Sequence, residues 1–156
     1  MCGARLETRF GLPLQSRTAD LDYSDQLRDH HRDAWHRATH HPFIEELGSG
    51  TLPLEKFRRY FLQDYVFVND LARMSGIAIG SAPDFPSARP IHQFLTNLMG
   101  AEDALFIEAF KVLDVPKETF RNATADPVTA AFGDFLVRLA YEGSFPEICA
   151  ALFVTE

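Results

Sequence analysis

The chain has 156 residues, with 15 Lys+Arg against 22 Asp+Glu and a formal net charge of −7. That length fits one domain, and a hydrophobic content of 46% is too high for a disordered chain. The acidic balance excludes a basic nucleic-acid-binding face. Cys2 and Cys149 are too few for a disulfide framework or a thiolate zinc site, and they fit a reducing, cytoplasmic compartment. No apolar run approaches the length of a membrane span, and residues 1–20 lack the apolar core of a secretory signal. Phenylalanine is abundant: 14 residues against four Tyr and one Trp. Such rings fill cores and also line pockets for flat ligands.

Residues 1–22 carry Gly3, Gly11 and Pro13 without a period, which predicts a poorly ordered leader before a domain over 23–156. Ser24 and Asp25 suit a helix start, and Leu27, His31, Ala34, Trp35 and Ala38 continue at helical spacing. Pro42 opens a short helix that ends before Gly48. Thr51 is expected to cap a long helix from about Pro53 to Ile79, broken by Gly80, Pro83 and Pro86. A further helix is predicted from about Ser87 to Leu113, then a short one over 116–121. Another runs from Asp126-Pro127 to about Tyr141, and a last one starts at Ser144-Pro146. No strand alternation and no internal repeat occur, so the expected fold is all-α, a helical bundle. The last helix is apolar to its end, with no stop signal, so it is expected to continue in a longer protein.

The long helix holds the most informative position. Phe57, Tyr60, Phe61, Asp64, Phe67, Val68 and Leu71 share one face, and Asp64 alone among them is charged. A carboxylate there is either paired with an arginine across the bundle or placed at the wall of a cavity, because burying it unpaired is costly. In the second case Tyr60 and Phe67, one turn to either side, can stack on a flat heteroaromatic ring. Asp64 can then meet a ring nitrogen and an exocyclic amine with two parallel hydrogen bonds. Glu102 interrupts a second stripe, Ile91, Phe94, Leu95, Leu98, Leu105, Phe106 and Ala109, and is expected to be a paired structural carboxylate. Phe132, with Val128, Phe135 and Leu139, reads as core. The cluster His30, His31, His36, His40 and His41 includes a pair at metal-ligand spacing, but no HExxH or ExxH occurs. A solvated surface is the expectation, with His41 near a helix C-terminus and no metal.

Three stretches carry a resemblance. They are His40-His41-Pro42-Phe43-Ile44-Glu45-Glu46-Leu47-Gly48-Ser49-Gly50-Thr51-Leu52-Pro53, Phe57-Arg58-Arg59-Tyr60-Phe61-Leu62-Gln63-Asp64-Tyr65, and Leu139-Ala140-Tyr141-Glu142-Gly143-Ser144-Phe145-Pro146-Glu147. In this order they resemble the TenA family, also called thiaminase II, over about Leu27 to Glu156. The resemblance implies a heme-oxygenase-like helical fold without heme or other cofactor. It implies hydrolysis of aminopyrimidines in thiamin salvage by a homo-oligomer, usually a tetramer. The family aspartate that holds the pyrimidine matches Asp64, its aromatic wall matches Phe67, and a pocket tyrosine falls at Phe132, without the hydroxyl. The nucleophilic cysteine of many members falls at Thr155, while Cys149 lies earlier and reads as a small buried residue. A subgroup carries a glutamate instead, a role that Glu156 would fill one residue out of register. Members of that subgroup act on amino- or formylamino-methyl pyrimidines. The family's general-acid glutamate lies in helices beyond this sequence.

The expectation is therefore an aminopyrimidine hydrolase of the group without the catalytic cysteine. Asp64 and Glu156 are its catalytic residues, with Asp64, Phe67, Tyr60 and Phe132 around the substrate. The alternative is a catalytically impaired helical protein that binds pyrimidine or oligomerises.

Overall fold

The computed structural model describes residues 23–155. The expected leader over 1–22 and the expected catalytic Glu156 both lie outside the described residues. All regular structure among the described residues is helical, in two compact units that divide between Thr51 and Leu52.

The first unit contains α1 (Tyr23–His30), α2 (Arg32–Thr39) and α3 (Pro42–Gly48). His41 is the N-cap of α3, and its Nδ1 accepts a hydrogen bond from the Phe43 amide at 3.2 Å. It thus serves a helix start, not the helix C-terminus expected from its position after α2. Thr51 also differs from expectation. Gly50 takes φ 72°, the Gly50 amide bonds the Leu47 carbonyl, and the Thr51 amide bonds the Glu46 carbonyl at 2.8 Å. This is a Schellman closure of α3, so Thr51 finishes one helix and does not cap the next.

The second unit is built around α4 (Leu54–Ser81), a helix of 28 residues. It is followed by α5 (Phe85–Asn97), α6 (Asp103–Val112), α7 (Lys117–Arg121), α8 (Pro127–Glu142) and α9 (Phe145–Thr155). α5 starts two residues before the expected Ser87 because the Asp84 side chain accepts from the Ser87 amide at 2.8 Å and caps the helix. The stretch expected as one helix to Leu113 is interrupted by a π turn at Leu98–Glu102. No residue pattern announces that turn. The end of α6 is a second Schellman closure, with Asp114 at φ 55°, Val115 bonded to the Phe110 carbonyl and Asp114 to the Lys111 carbonyl. Arg58 of α4 donates from Nε to the Leu113 carbonyl there at 2.7 Å, tying α6 to α4.

Two clusters hold this unit together. Leu71, Met74 and Ala78 of α4 pack with Ile91, Leu98, Leu136, Ala140 and Ile148. Nearer the N-terminal end of α4, Phe106, Phe110 and Phe120 pack with Phe61, Leu62 and Tyr65. α4 meets α8 closely at Gly133, where an added Cβ would lie 2.2 Å from the Asp70 Oδ2. The Ser75 hydroxyl in the aliphatic core donates to the Leu71 carbonyl at 2.8 Å, and no buried side-chain polar atom among the described residues lacks a partner.

Candidate active site

Asp64 lies midway along α4, half-buried between the two clusters. The arginine partner that a structural role demands is not there: among the described residues its carboxylate has no ion pair or hydrogen bond. Burial raises its pKa above the ordinary value of 3.8, and the negative charge of Glu102 raises it further. The pairing expected for Glu102 is likewise absent among the described residues. Its charge acts instead on another acid, Asp64, which sequence periodicity alone did not show.

One turn beyond Asp64, Phe67 meets Phe132 of α8 face to face, with ring centroids 5.1 Å apart and planes 4° from parallel. The expectation of a core position for Phe132 is corrected here. Phe132 is 43% exposed, and Val128 and Phe135 on the same helix are 79% and 56% exposed. The paired rings thus form a half-open aromatic wall next to an acid. They are too close together to admit a third ring between them, so a flat ligand would stack on an outer face. Tyr60, one turn before Asp64, is 45% exposed and lies toward Phe57, with centroids 6.5 Å apart. It shares the helix with Asp64 but joins no ring stack with Phe67 or Phe132.

Residues that sequence reasoning did not single out fix this geometry. Gln63 donates from Nε2 to the Thr124 carbonyl at 3.1 Å, and its Oε1 accepts from the Asp126 amide at 2.8 Å. The Asp126 side chain caps α8 through the Val128 and Thr129 amides, which holds its pKa below the usual carboxylate value. Arg59 reaches the same carboxylate at 3.5 Å. The residue beside Asp64 therefore anchors the start of the helix that supplies Phe132. Residues 122–126 bear no helix or strand pattern, so no sequence signal marked Gln63.

The other candidate groups have local roles of their own. Cys149 packs partly buried against the aliphatic cluster, which raises its thiol pKa and suppresses the thiolate. The Thr155 hydroxyl donates to the Ala151 carbonyl at 2.9 Å, a bond within its own helix. The rings of His36 and His40 stack at 4.0 Å on an exposed face, and no metal-ligating group of three or more side chains exists among the described residues. A groove of about 430 Å³ lined by Arg58, Arg59, Leu62 and Val115 lies beside α4 but does not include Asp64. No helix among the described residues is long and apolar enough to cross a membrane.

Comparison with known proteins gives this arrangement a context. The TENA/THI-4/PQQC family matches residues 28–156. The chain is 26% identical over 132 residues to an aminopyrimidine aminohydrolase of Bacillus subtilis (strain 168), covering 85% of this chain and 56% of the relative. It is 24% identical to an aminopyrimidine aminohydrolase of Helicobacter pylori, over 85% of this chain and 61% of the relative. Among solved structures it is similar to a TenA homologue protein from P. horikoshii OT3, with 31% identity and a TM-score of 0.76. That match covers 83% of this chain and 60% of the other. A TenA family transcription regulator from Silicibacter sp. TM1040 superposes with a TM-score of 0.79 at 27% identity, over 83% of this chain and 57% of the other. The chain thus spans between 56% and 61% of the length of these relatives. Its helices follow the heme-oxygenase-like architecture of the TenA structures. By the extent of the family match and the shared fold, the chain belongs to the TENA/THI-4/PQQC family.

Proposed function

We propose that this chain carries the ring-binding part of an aminopyrimidine hydrolase of the thiaminase II type. Its substrate class is amino- or formylamino-methyl pyrimidines, in the salvage of the thiamin pyrimidine. The observation that supports this most is Asp64, a half-buried carboxylate without a basic partner among the described residues, set one turn from the Phe67–Phe132 stack. The curated relatives named aminopyrimidine aminohydrolase support the same reading.

In this reading the pyrimidine lies flat against the aromatic wall, and Asp64 bonds a ring nitrogen together with the adjacent exocyclic amine. Tyr60, one turn before Asp64 and on the side of Phe57, is the further aromatic residue proposed to meet the substrate. Holding the ring by its amidine edge draws electrons from the exocyclic carbon where the bond breaks. Hydrolysis breaks that carbon–nitrogen bond, adds the hydroxyl of water to the carbon and gives the departing nitrogen a proton. Glu156 would activate the attacking group, since neither Thr155 nor Cys149 offers an activated nucleophile. The reaction draws on water alone, with no cofactor. A cytoplasmic homotetramer is the form proposed for the working protein.

The test is release of amine from an aminomethylpyrimidine by the full chain and by Asp64→Asn, beside titration calorimetry with the same compound. Turnover that falls by about a hundredfold or more in Asp64→Asn, with helix content unchanged, supports the reading. Equal turnover in the two proteins overturns it. A second reading, pyrimidine binding without chemistry, is favoured by the engaged hydroxyl of Thr155 and the missing hydroxyl at Phe132. Binding that Asp64→Asn abolishes, with no amine released by the parent, would establish that one.

A further inference from the structure

Helices α4 and α5 are joined by residues 82–84 and run antiparallel, so ring and core contacts give the register between them. Phe106 meets Phe61 at 4.7 Å and Tyr65 at 5.3 Å between ring centroids. Leu98 joins Leu71 in the aliphatic cluster. Asp64 lies between Phe61 and Leu71 on α4, and Glu102 between Leu98 and Phe106 where the π turn and α6 continue the second arm. The two carboxylates therefore occupy the same level of the hairpin.

Glu102 is the last residue of the π turn at Leu98–Glu102. A π turn takes about one residue more per revolution than an α turn. Glu102, four residues past the buried Leu98, stays within roughly 40° of its face, in keeping with the apolar stripe that it interrupts. The same extra residue lets Phe106 and Phe110 continue the inner face. The π turn packs against α4, and Glu102 is half-buried. Burial of Asp64 and the Glu102 charge both favour a proton on Asp64.

We infer that Glu102 is a positioning residue for the proposed reaction: facing Asp64 across the hairpin, it favours a proton on Asp64 in the free site, which Asp64 passes to the pyrimidine ring nitrogen on binding. This rests on the pyrimidine reading above. In that step the O–H bond on Asp64 breaks, an N–H bond forms on the ring, and the resulting carboxylate stays bonded to the cationic ring. The ring becomes a stronger electron sink for departure of the exocyclic group. The other charges nearby are engaged elsewhere. On α4, Arg73 pairs with Asp70, which faces Gly133, and Arg59 pairs with Asp126 at the start of α8. Farther along α8, Arg138 pairs with Glu142, and Asp134 is exposed. Asp103 of α6 and Arg121 of α7 act on Tyr65. Arg89 and His92 of α5 are exposed, and on α9 Glu147 bonds Ser144 and Cys149 is uncharged.

The test uses the full chain without ligand. Carboxyl carbon NMR follows the titration of Asp64, assigned by its loss in Asp64→Asn, in the parent, Glu102→Gln and Glu102→Asp. The expected result is a midpoint above the ordinary aspartate range in the parent, lowered in Glu102→Gln and kept high in Glu102→Asp. A midpoint unchanged in Glu102→Gln overturns the inference, because a merely structural Glu102 would leave it in place. Calorimetry with an aminomethylpyrimidine is the separate arm. If Asp64→Asn binds that compound as well as the parent does, the pyrimidine reading fails whatever the titration shows. If Asp64→Asn loses binding while the Glu102→Gln midpoint stays put, only the role of Glu102 fails.

Discussion

The two halves of α4 differ in what they hold. In the C-terminal half, Leu71, Met74, Ser75 and Ala78 are at most 1% exposed and sit among aliphatic side chains from α5, α8 and α9. In the N-terminal half, from Phe57 to Val68, no residue is fully buried, and an acid without a basic partner among the described residues stands among the rings. One helix thus joins a dry anchor to the half-open region proposed as the site. A site that must admit a ligand cannot be packed to the density of a core, and it keeps its geometry only because the same helix is fixed elsewhere. Substitutions should divide along this line, with the anchor losing stability and the site losing chemistry.

The largest effect on stability is expected inside the clusters. Phe110→Ala removes a ring packed on Phe120 at 4.7 Å between centroids and should cost about 3–5 kcal/mol of unfolding free energy in denaturant titration. Tyr60→Ala, at an exposed ring of the site half, should leave the unfolding midpoint nearly unchanged while weakening pyrimidine binding. Equal losses from both would show that the two halves are not distinct. Next comes Gly133→Ala. The new methyl would meet Oδ2, Cγ and Cβ of Asp70 at once, so the side chain cannot evade it by rotating its tip alone. The helices must separate, at a cost of about 1–3 kcal/mol, and the Phe67–Phe132 stack lies one turn from the strained point on α4 and next to it on α8. Gln63→Ala should be milder in stability, about 1 kcal/mol for its two bonds to residues 124 and 126. Its sharper signature is weaker binding of an aromatic ligand, because α8 loses the tie that sets Phe132. Unchanged affinity in that variant would remove Gln63 from the site's support.

The sequence shows which parts of this arrangement are periodic and hides those that are not. Proline, glycine and cap residues mark the helices within a few positions, because φ restrictions and orphan amides act locally. The stripe around Asp64 is visible because one charge in an apolar period stands out. The nearness of Phe67 to Phe132 was legible only through the family resemblance, since 64 residues of intervening chain leave no periodic trace. Phe132 itself reads as core because apolar spacing reports a face, not what covers it. The π turn is invisible for a different reason. An i→i+5 turn uses the same residue types as an α turn and is selected by packing on both sides. Thr51 illustrates local ambiguity: the same residue suits the start of one helix and the close of another, and Gly50 at positive φ decides between them.

The smallest expected effect separates the two halves by pH. Asp64 has a folded-state pKa above its ordinary 3.8, from burial first and the Glu102 charge second. An acid shifted upward binds its proton more tightly when folded, so its contribution to stability is fully present below the unfolded value and is lost as pH rises through the folded one. Asp84, Asp126 and Glu147 are shifted the other way by the hydrogen bonds they accept, and their contributions are lost as pH falls through their lowered folded values. Replacing Asp64 by Asn removes a proton that folding must otherwise retain or surrender at a cost. Asp64→Asn should therefore melt above the parent at neutral pH, by a few degrees at most, and this advantage should shrink as the pH is lowered toward 3.8. Asp126→Asn should do the reverse, melting below the parent at neutral pH with the gap closing in acid. A more stable, inactive Asp64→Asn would mean that the site half of α4 keeps its acid for chemistry against the preference of the fold. A less stable one would place a hidden partner on Asp64 and erase the contrast between the two halves.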